Sequence, residues 1–335
     1  MTERVAENGS IHGIDLLKLL AAYAVVSLHT SPFYQISRAG DFVWTKGIGR
    51  LAVPFFFIAA GYFFHESLER KGSNVSTLWG YLRRIASIYL IWCVLYLPTN
   101  FNWSEPIRRS AVESYLLSLL CSGPVYHLWY FPALISCICL LYFLSKSIKL
   151  EALLVLGIVL YLFSCLGDSY YALSRDSIAQ PLIDWWIRIF SDTKNLVPNG
   201  FIFVTLGFWF AKIKPAIPSK RAFLIALFFA CLVAAEAVIL RLNNISKDHN
   251  TSLFLVPAAS FLFLGARNWK VSTPMDYRLI RNASVLIYLV HPYVMRFTDL
   301  FHLPNLIAFL LVVSLSTGFS LLVVKSPFPM LRRLY

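Results

Sequence analysis

The 335-residue chain is 58% hydrophobic and only 14% charged, with a mean hydropathy of +0.65 and a formal net charge of +13. That balance excludes an ordinary soluble domain, in which about a quarter of residues are charged. The basic excess fits membrane orientation or an acidic ligand, not nucleic acid, because no basic stripe with interleaved stacking aromatics lies in a soluble segment.

Hydropathy divides the chain into about ten apolar stretches, near residues 14–31, 48–65, 79–98, 128–145, 150–166, 197–211, 222–241, 252–266, 283–297 and 304–324. They predict an all-α, polytopic integral membrane bundle of about ten transmembrane helices. The first stretch begins with an acidic residue and has no small-residue cleavage site, so it is expected to be retained. With the N-terminus placed in the cytoplasm, the inner loops are the shorter ones and hold more of the Lys and Arg, among them Arg70, Lys71, Arg83, Arg84 and Arg281. Both termini are then cytoplasmic. The expected division is a short tail over 1–12, a transmembrane domain over 13–325 and a basic tail over 326–335. The six cysteines fall mostly inside apolar stretches and read as small buried hydrophobes. Cys137 and Cys139 point to different faces of one helix, so they form no metal pair.

The first stretch, Gly13 to Pro32, carries Asp15, Lys18 and His29 inside apolar sequence. Ionisable groups in a span are costly and are functional candidates for that reason. Eleven steps of about 100° return Lys18 and His29 to within about 20° of one direction while climbing about 16 Å. Asp15 lies one turn below Lys18, close enough to pair with it. The plainer reading makes Asp15 and Lys18 a snorkelling pair and His29 an interfacial residue. Recurrence of His at other span ends favours a site.

In the next stretch Pro54 is followed by small residues and Gly61, which allows a bend and close backbone approach, or helix packing alone. The segment 66–84 ends in Arg83 and Arg84, which serve either as positive-inside anchors or as a phosphate site. Tyr126-His127-Leu128-Trp129-Tyr130 reads as an interfacial belt or as the lining of an outer pocket. The outer segment 167–196 is long enough to be functional or partly helical. Its aromatics and carboxylates, Asp168 beside Ser169 among them, suit a polar substrate such as a sugar or an amino acid. In the ninth stretch His291 sits in apolar sequence, and Pro292 is expected to break the helix beside it. The last stretch lacks ionisable side chains and reads as scaffold. No phosphate-binding loop, dinucleotide fingerprint, His-Glu-x-x-His or CxxC pair is present.

On these residues the chain resembles the acyltransferase-3 family of bacterial membrane proteins along most of its length. Lys18, ten intervening residues and His29 match the family's first-helix spacing. Lys18 stands where the family usually has Arg, which keeps the charge and loses the bidentate fork. The Pro54 to Tyr62 run is similar to the second-helix signature, and Ile287 to Tyr293 to the late Tyr-Leu-x-His-Pro element. Tyr126 to Ile135, Gly167 to Ser169, Lys247 to Pro257 and Leu289 to Tyr293 look most like the membrane half of the VanT-type membrane serine racemases of vancomycin resistance.

The resemblance implies a multi-pass enzyme of the bacterial plasma membrane. It would move an acetyl or similar group from a cytoplasmic thioester, acetyl-CoA, to a hydroxyl of a cell-envelope acceptor at the outer face, with no metal. Arg83 and Arg84 would then hold donor phosphates, with Asp15 holding Lys18 and the acyl arm running up the stripe. His29 would act as general base, or carry the acyl group itself. His127, Trp129, Tyr130, Asp168, Ser169 and His291 would form the acceptor pocket. The VanT-type likeness carries a second expectation, a module for L-serine uptake. Those racemases continue into a cytoplasmic pyridoxal-phosphate domain, and no racemisation is expected of a sequence that stops at Tyr335.

Overall fold

The computed structural model describes residues 11–101 and 108–335, so most of the expected 1–12 tail and part of the segment between the third and fourth apolar stretches lie outside the described residues. Among the described residues there is no strand. Each apolar stretch falls on a principal helix: α1 (His12–Thr30), α2 (Ala52–Lys71), α3 (Val75–Leu95), α4 (Tyr130–Leu144), α5 (Leu150–Leu166), α6 (Val197–Ile213), α7 (Ser219–Leu242), α8 (Leu255–Asn268), α9 (Tyr277–Asp299) and α10 (Asn305–Lys325). Five helical runs are long and apolar enough to cross a bilayer: α1, the continuous Arg38–Lys71 run that ends in α2, α3, α7 and α10. Three more, α4, α5 and α6, are apolar and shorter.

The outward side chains say what surrounds the bundle. On α5 the exposed residues Val155, Ile158, Val159 and Leu162 recur at helical spacing, and on α7 Leu224, Leu227 and Phe228 do the same. Apolar stripes turned outward on this scale are stable in hydrocarbon and not in water. The protein is a multi-pass membrane protein.

Lipid supplies little hydrophobic drive between helices, so close packing needs small residues. Gly61 and Gly207 provide it where α2 meets α6. A Cβ on Gly61 would lie 2.0 Å from the Val204 carbonyl oxygen, and one on Gly207 would lie 1.9 Å from that of Ile58. The close approach expected at Gly61 is therefore real, and Gly207 answers it from the facing helix.

Helix α1 packs against α2, α8, α9 and α10. At the face where α1 starts, the His12 ring stacks on Tyr277 at 3.8 Å, and Asp15 ion-pairs with Arg281 at 3.8 Å. At the far face, Asn305 Nδ2 donates to the Thr30 carbonyl at 3.0 Å, and Lys46 bonds Asp248 at 2.8 Å. Two expectations need correction. Pro292 does not break its helix; α9 runs through it. Cys231 is exposed on α7 and Cys139 is half-buried, while Cys93, Cys121, Cys137 and Cys165 are buried. The segment after α10 folds back: Leu334 accepts a hydrogen bond from Trp92 Nε1 at 3.0 Å, and Pro329–Leu334 forms a 3-10 turn.

Candidate active site

Two cavities enter the bundle from opposite faces. The first, about 460 Å³, opens at the starting face between α1, α2, α3 and α9. Its wall carries five basic side chains, Lys18, Arg70, Lys71, Arg84 and Arg281. The Lys18 ammonium also lies 4.6 Å from the Phe63 ring centroid, a cation–π contact that holds it inside the span. Deeper in, the wall turns apolar and aromatic, with Ile85, Ile88, Leu134 and Val285 below Phe56, Tyr130 and Tyr288. From Lys71 to Phe56 is fifteen helical residues, a depth of about 22 Å. A basic mouth and a deep apolar throat suit a molecule with a polyanionic head and a long, less polar arm.

The second cavity, about 300 Å³, opens at the far face and is lined by His29, Lys46, Arg50, His127, Trp129, Lys194, Asn199, Asp248, Asn250 and Tyr288 among others. Tyr288 lines both cavities. With Phe56 and Tyr130 it makes an aromatic septum, the three ring centroids 6.0 to 6.3 Å apart.

Three imidazoles gather beside that septum. His29 stacks on His291 with centroids 5.5 Å apart, and His127 meets His291 at 5.3 Å. His29 is the accessible one; His127 and His291 are buried. The backbone explains the ring orientation. Pro292 has no N–H and its ring disturbs the preceding turn, which leaves the Tyr288 carbonyl, four residues back, without its helical donor. His291 Nδ1 takes that carbonyl at 2.8 Å. A carbonyl can only accept, so Nδ1 carries the proton and Nε2 presents a lone pair. That Nε2 is buried without a hydrogen-bond partner, as are both ring nitrogens of His127. Buried polar atoms are nearly always bonded, so unpartnered ones around a cavity point to a ligand or water. The Tyr288 hydroxyl meanwhile donates to the His127 carbonyl and ties α9 to the start of α4.

A family model described as an acyltransferase domain matches residues 11–325. The chain belongs to the acyltransferase-3 family. Among its relatives are two amino-acid racemases of Enterococcus faecalis. One is 31% identical over 84% of this chain and 41% of the relative, the other 26% identical over 77% and 36%. A serine/alanine racemase of Enterococcus gallinarum is 29% identical over 92% of the chain and 45% of its own length. The chain thus spans less than half the length of the curated relatives it matches. No solved structure matches it.

Within this acyltransferase-3 chain, the residues singled out in the sequence divide between the two cavities. Lys18 and Arg84 line the first, and Asp15 stands behind them, paired with Arg281. Arg83 does not line it. One residue along the helix is a turn of about 100°, and Arg83 is exposed on another face of α3. His29, His127 and Trp129 line the second cavity, with His291 directly behind the first two. Tyr130, expected in the acceptor pocket, lines the first cavity instead.

Asp168 and Ser169 are not in the wall at all. Asp168 Oδ2 accepts from the backbone N–H groups of Asn250 at 2.7 Å and Thr251 at 2.8 Å, from Thr251 Oγ1 at 3.0 Å and from Ser169 Oγ at 3.0 Å. Together they brace the loop that carries Asp248 and Asn250 into the cavity. Sequence reasoning missed Arg70, Lys71 and Arg281 as cavity residues, having read them as anchors. It also missed Lys46, Arg50, Lys194, Asn199, Asp248 and Asn250. The available signal was Arg50 at the head of an apolar run, three residues beyond Gly47. Glu236, inside α7, was passed over as well. Tyr170 Oη at 2.7 Å, Leu253 N–H at 2.7 Å and Ser252 Oγ all donate to it, so it clamps α7 to the start of α8.

In the loop at the far face, burial opposes ionisation of Asp248, but the Lys46 hydrogen bond and charge prevail and hold its carboxyl well below the usual range. Burial, then the Lys46 ammonium, push the His249 imidazole down to about 4.

Proposed function

We propose that the protein is a transmembrane acyltransferase that takes its acyl group from a coenzyme A thioester in the first cavity and delivers it to a hydroxyl of an acceptor in the second. Acetyl-CoA is the donor proposed. The observation that carries this reading is the pair of opposed cavities sharing Tyr288, one with five cations at its mouth and the other with three imidazoles at its floor. Family membership supports the reaction class. The starting face is assigned to the cytoplasm and the far face to the outside of a bacterial plasma membrane, with ten spans and both termini inside.

In this scheme Lys18, Arg70, Lys71, Arg84 and Arg281 bind the donor phosphates, Arg84 and Arg281 as forks and the lysines as point charges. The apolar throat takes the arm and leads the thioester to the septum. His29, exposed to the acceptor cavity and braced by His291, is the general base, since a neutral imidazole can take a hydroxyl proton near neutral pH. It removes the proton as the hydroxyl oxygen attacks the thioester carbonyl carbon. The C–S bond breaks, the proton on His29 passes to the departing sulfur, and the products are an ester and a free thiol. His127 and Trp129 line the acceptor's side of the site.

The test is transfer of labelled acetyl from acetyl-CoA to an acceptor extract in proteoliposomes. His29→Ala should abolish transfer while the protein keeps its thermal midpoint and its acetyl-CoA binding. Transfer at the wild-type rate in that variant would remove His29 from the chemistry. Cysteines introduced at Ser73 and Asn244 check the sidedness, with an impermeant reagent in whole cells expected to label only the second.

A second reading, L-serine uptake, draws on the relative named a serine/alanine racemase and on the two opposed cavities, which would serve a transported solute equally. Uptake of labelled serine that ignores internal acetyl-CoA and survives His29→Ala would favour it.

A further inference from the structure

The second cavity carries an electrostatic demand that acyl transfer alone does not explain. Three cations line it. Lys46 bonds Asp248 at 2.8 Å, and Lys194 pairs with Asp192 at 3.2 Å. Arg50, among the described residues, has no carboxylate at ion-pair distance. Its Nη1 donates to Asn250 Oδ1 at 2.7 Å, and its Nε–H is buried without a partner.

The neutral Asn250 is itself fixed. Its backbone N–H and its Nδ2 both donate to Asp168, and Nδ2 also donates to Asp248 at 2.9 Å. The arrangement therefore holds one side of the guanidinium in place and leaves the rest of its donor fork unused. Asp248 and Asp168 act on this cation only from beyond ion-pair distance, so its fork stays free, and the fork geometry of arginine matches a carboxylate. The other unpartnered atoms near the same cavity complete the picture. Asn199 Oδ1 and the one acceptor nitrogen of a neutral His127 ring can receive hydroxyl or ammonium donors.

We propose that Arg50 is the carboxylate-binding residue of this cavity and that the acceptor is an acidic alcohol, a molecule carrying a carboxylate together with the hydroxyl that is acylated. Two sources share that chemistry, a small hydroxy acid and an acidic sugar. The inference rests on the acyl-transfer reading for the fate of the hydroxyl, and on the cavity alone for the carboxylate.

The test uses the full chain in lipid nanodiscs and calorimetric titration with glycerate and glucuronate, each against its neutral counterpart, glyceramide and glucose. At least one acid should bind about ten- to a hundredfold more tightly than its counterpart, the range a charge-assisted contact supplies. Whichever acid shows the ratio identifies the source. Arg50→Gln should bring the ratio to about one and leave acetyl-CoA binding unchanged; Arg50→Lys, with charge and no fork, should fall between. Binding of neither acid, equal binding of acid and neutral forms, or a ratio that persists in Arg50→Gln would overturn the proposal. Where Arg50→Gln fails to fold, Arg50→Lys decides it: a ratio unchanged from wild type in that variant overturns the assignment to Arg50. Acid-selective binding with no acyl transfer in the presence of acetyl-CoA would uphold the subsite and sink the acyltransferase reading instead.

Discussion

Replacing Asp168 distinguishes a residue that positions a loop from one that touches substrate. In Asp168→Ala, two backbone N–H groups, of Asn250 and Thr251, lose their acceptor, while Ser169 Oγ keeps the Thr251 carbonyl at 2.6 Å. Each buried N–H left unpaired costs about 1–3 kcal/mol, so the truncation should cost about 2–6 kcal/mol. In Asp168→Asn the amide oxygen can stand at the Oδ2 position and keep all four of its donors. The amide nitrogen then faces Asn250 Nδ2, which donates to the other oxygen at 3.2 Å. One weak bond and the charge assistance are lost, about 1–2 kcal/mol. Thermal unfolding in detergent, followed by a thiol-reactive dye on the buried Cys93, Cys137 and Cys165, reads both variants. Alanine should lower the midpoint far more than asparagine, and the asparagine variant should retain most of its acyl transfer and all of its acetyl-CoA binding. Lost transfer in Asp168→Asn at an unchanged midpoint would refute the positioning role and place the carboxylate on the substrate.

Three further outcomes follow from the geometry. Arg84→Gln should weaken acetyl-CoA binding by about tenfold, the worth of one charged contact, and Arg83→Gln should leave it alone; equal losses would mean that the cavity wall has been misread. Gly207→Ala should force α2 and α6 apart, since its Cβ would sit 1.9 Å from the Ile58 oxygen, and lower the unfolding midpoint more than Gly80→Ala, where the space is open; similar midpoints would refute the close approach. His249 has its folded-state value depressed from 6.5 to about 4, so between those limits the unfolded chain binds more protons than the folded one. The stability it contributes is present above about pH 6.5 and is lost as pH falls toward 4, and His249→Gln should flatten that part of the wild-type profile.

The helices were legible because lipid-facing and core-facing sides are both apolar, which makes a span visible without any knowledge of its neighbours. The Lys18 to His29 stripe was legible for a similar reason, since both residues lie on one helix and its geometry relates them. Contacts that join distant segments were not. Asp168 looks like a pocket carboxylate until Asn250 and Thr251, some eighty residues on, supply the donors that occupy it. Arg83 and Arg84 are equivalent in sequence, and only the rotation of α3 against α9 selects the second. Tyr130 was put on the wrong side because a span that begins near one face can still turn a side chain toward the other cavity. Arg50 hid among anchoring charges, because what sets it apart is a neutral partner, Asn250, in place of a carboxylate, and partners come from tertiary structure.

The ninth helix shows how a local rule can be sound while its expected consequence fails. Proline removes a donor and frees a carbonyl, which in lipid must be satisfied. A break lined by a cavity is one solution. Here the freed Tyr288 carbonyl accepts from His291, the residue immediately before the proline, and the helix continues. The same bond sets the proton on Nδ1, turns the Nε2 lone pair inward and holds the ring flat against His29. Tyr288, whose carbonyl is taken up in this way, is also the side chain that separates the two cavities. One missing N–H therefore orients the imidazole behind the proposed base and couples it to the septum. Moving the proline away from the histidine would keep a kink-prone helix and lose that orientation, which is why the adjacent pair His291-Pro292 matters more than either residue alone.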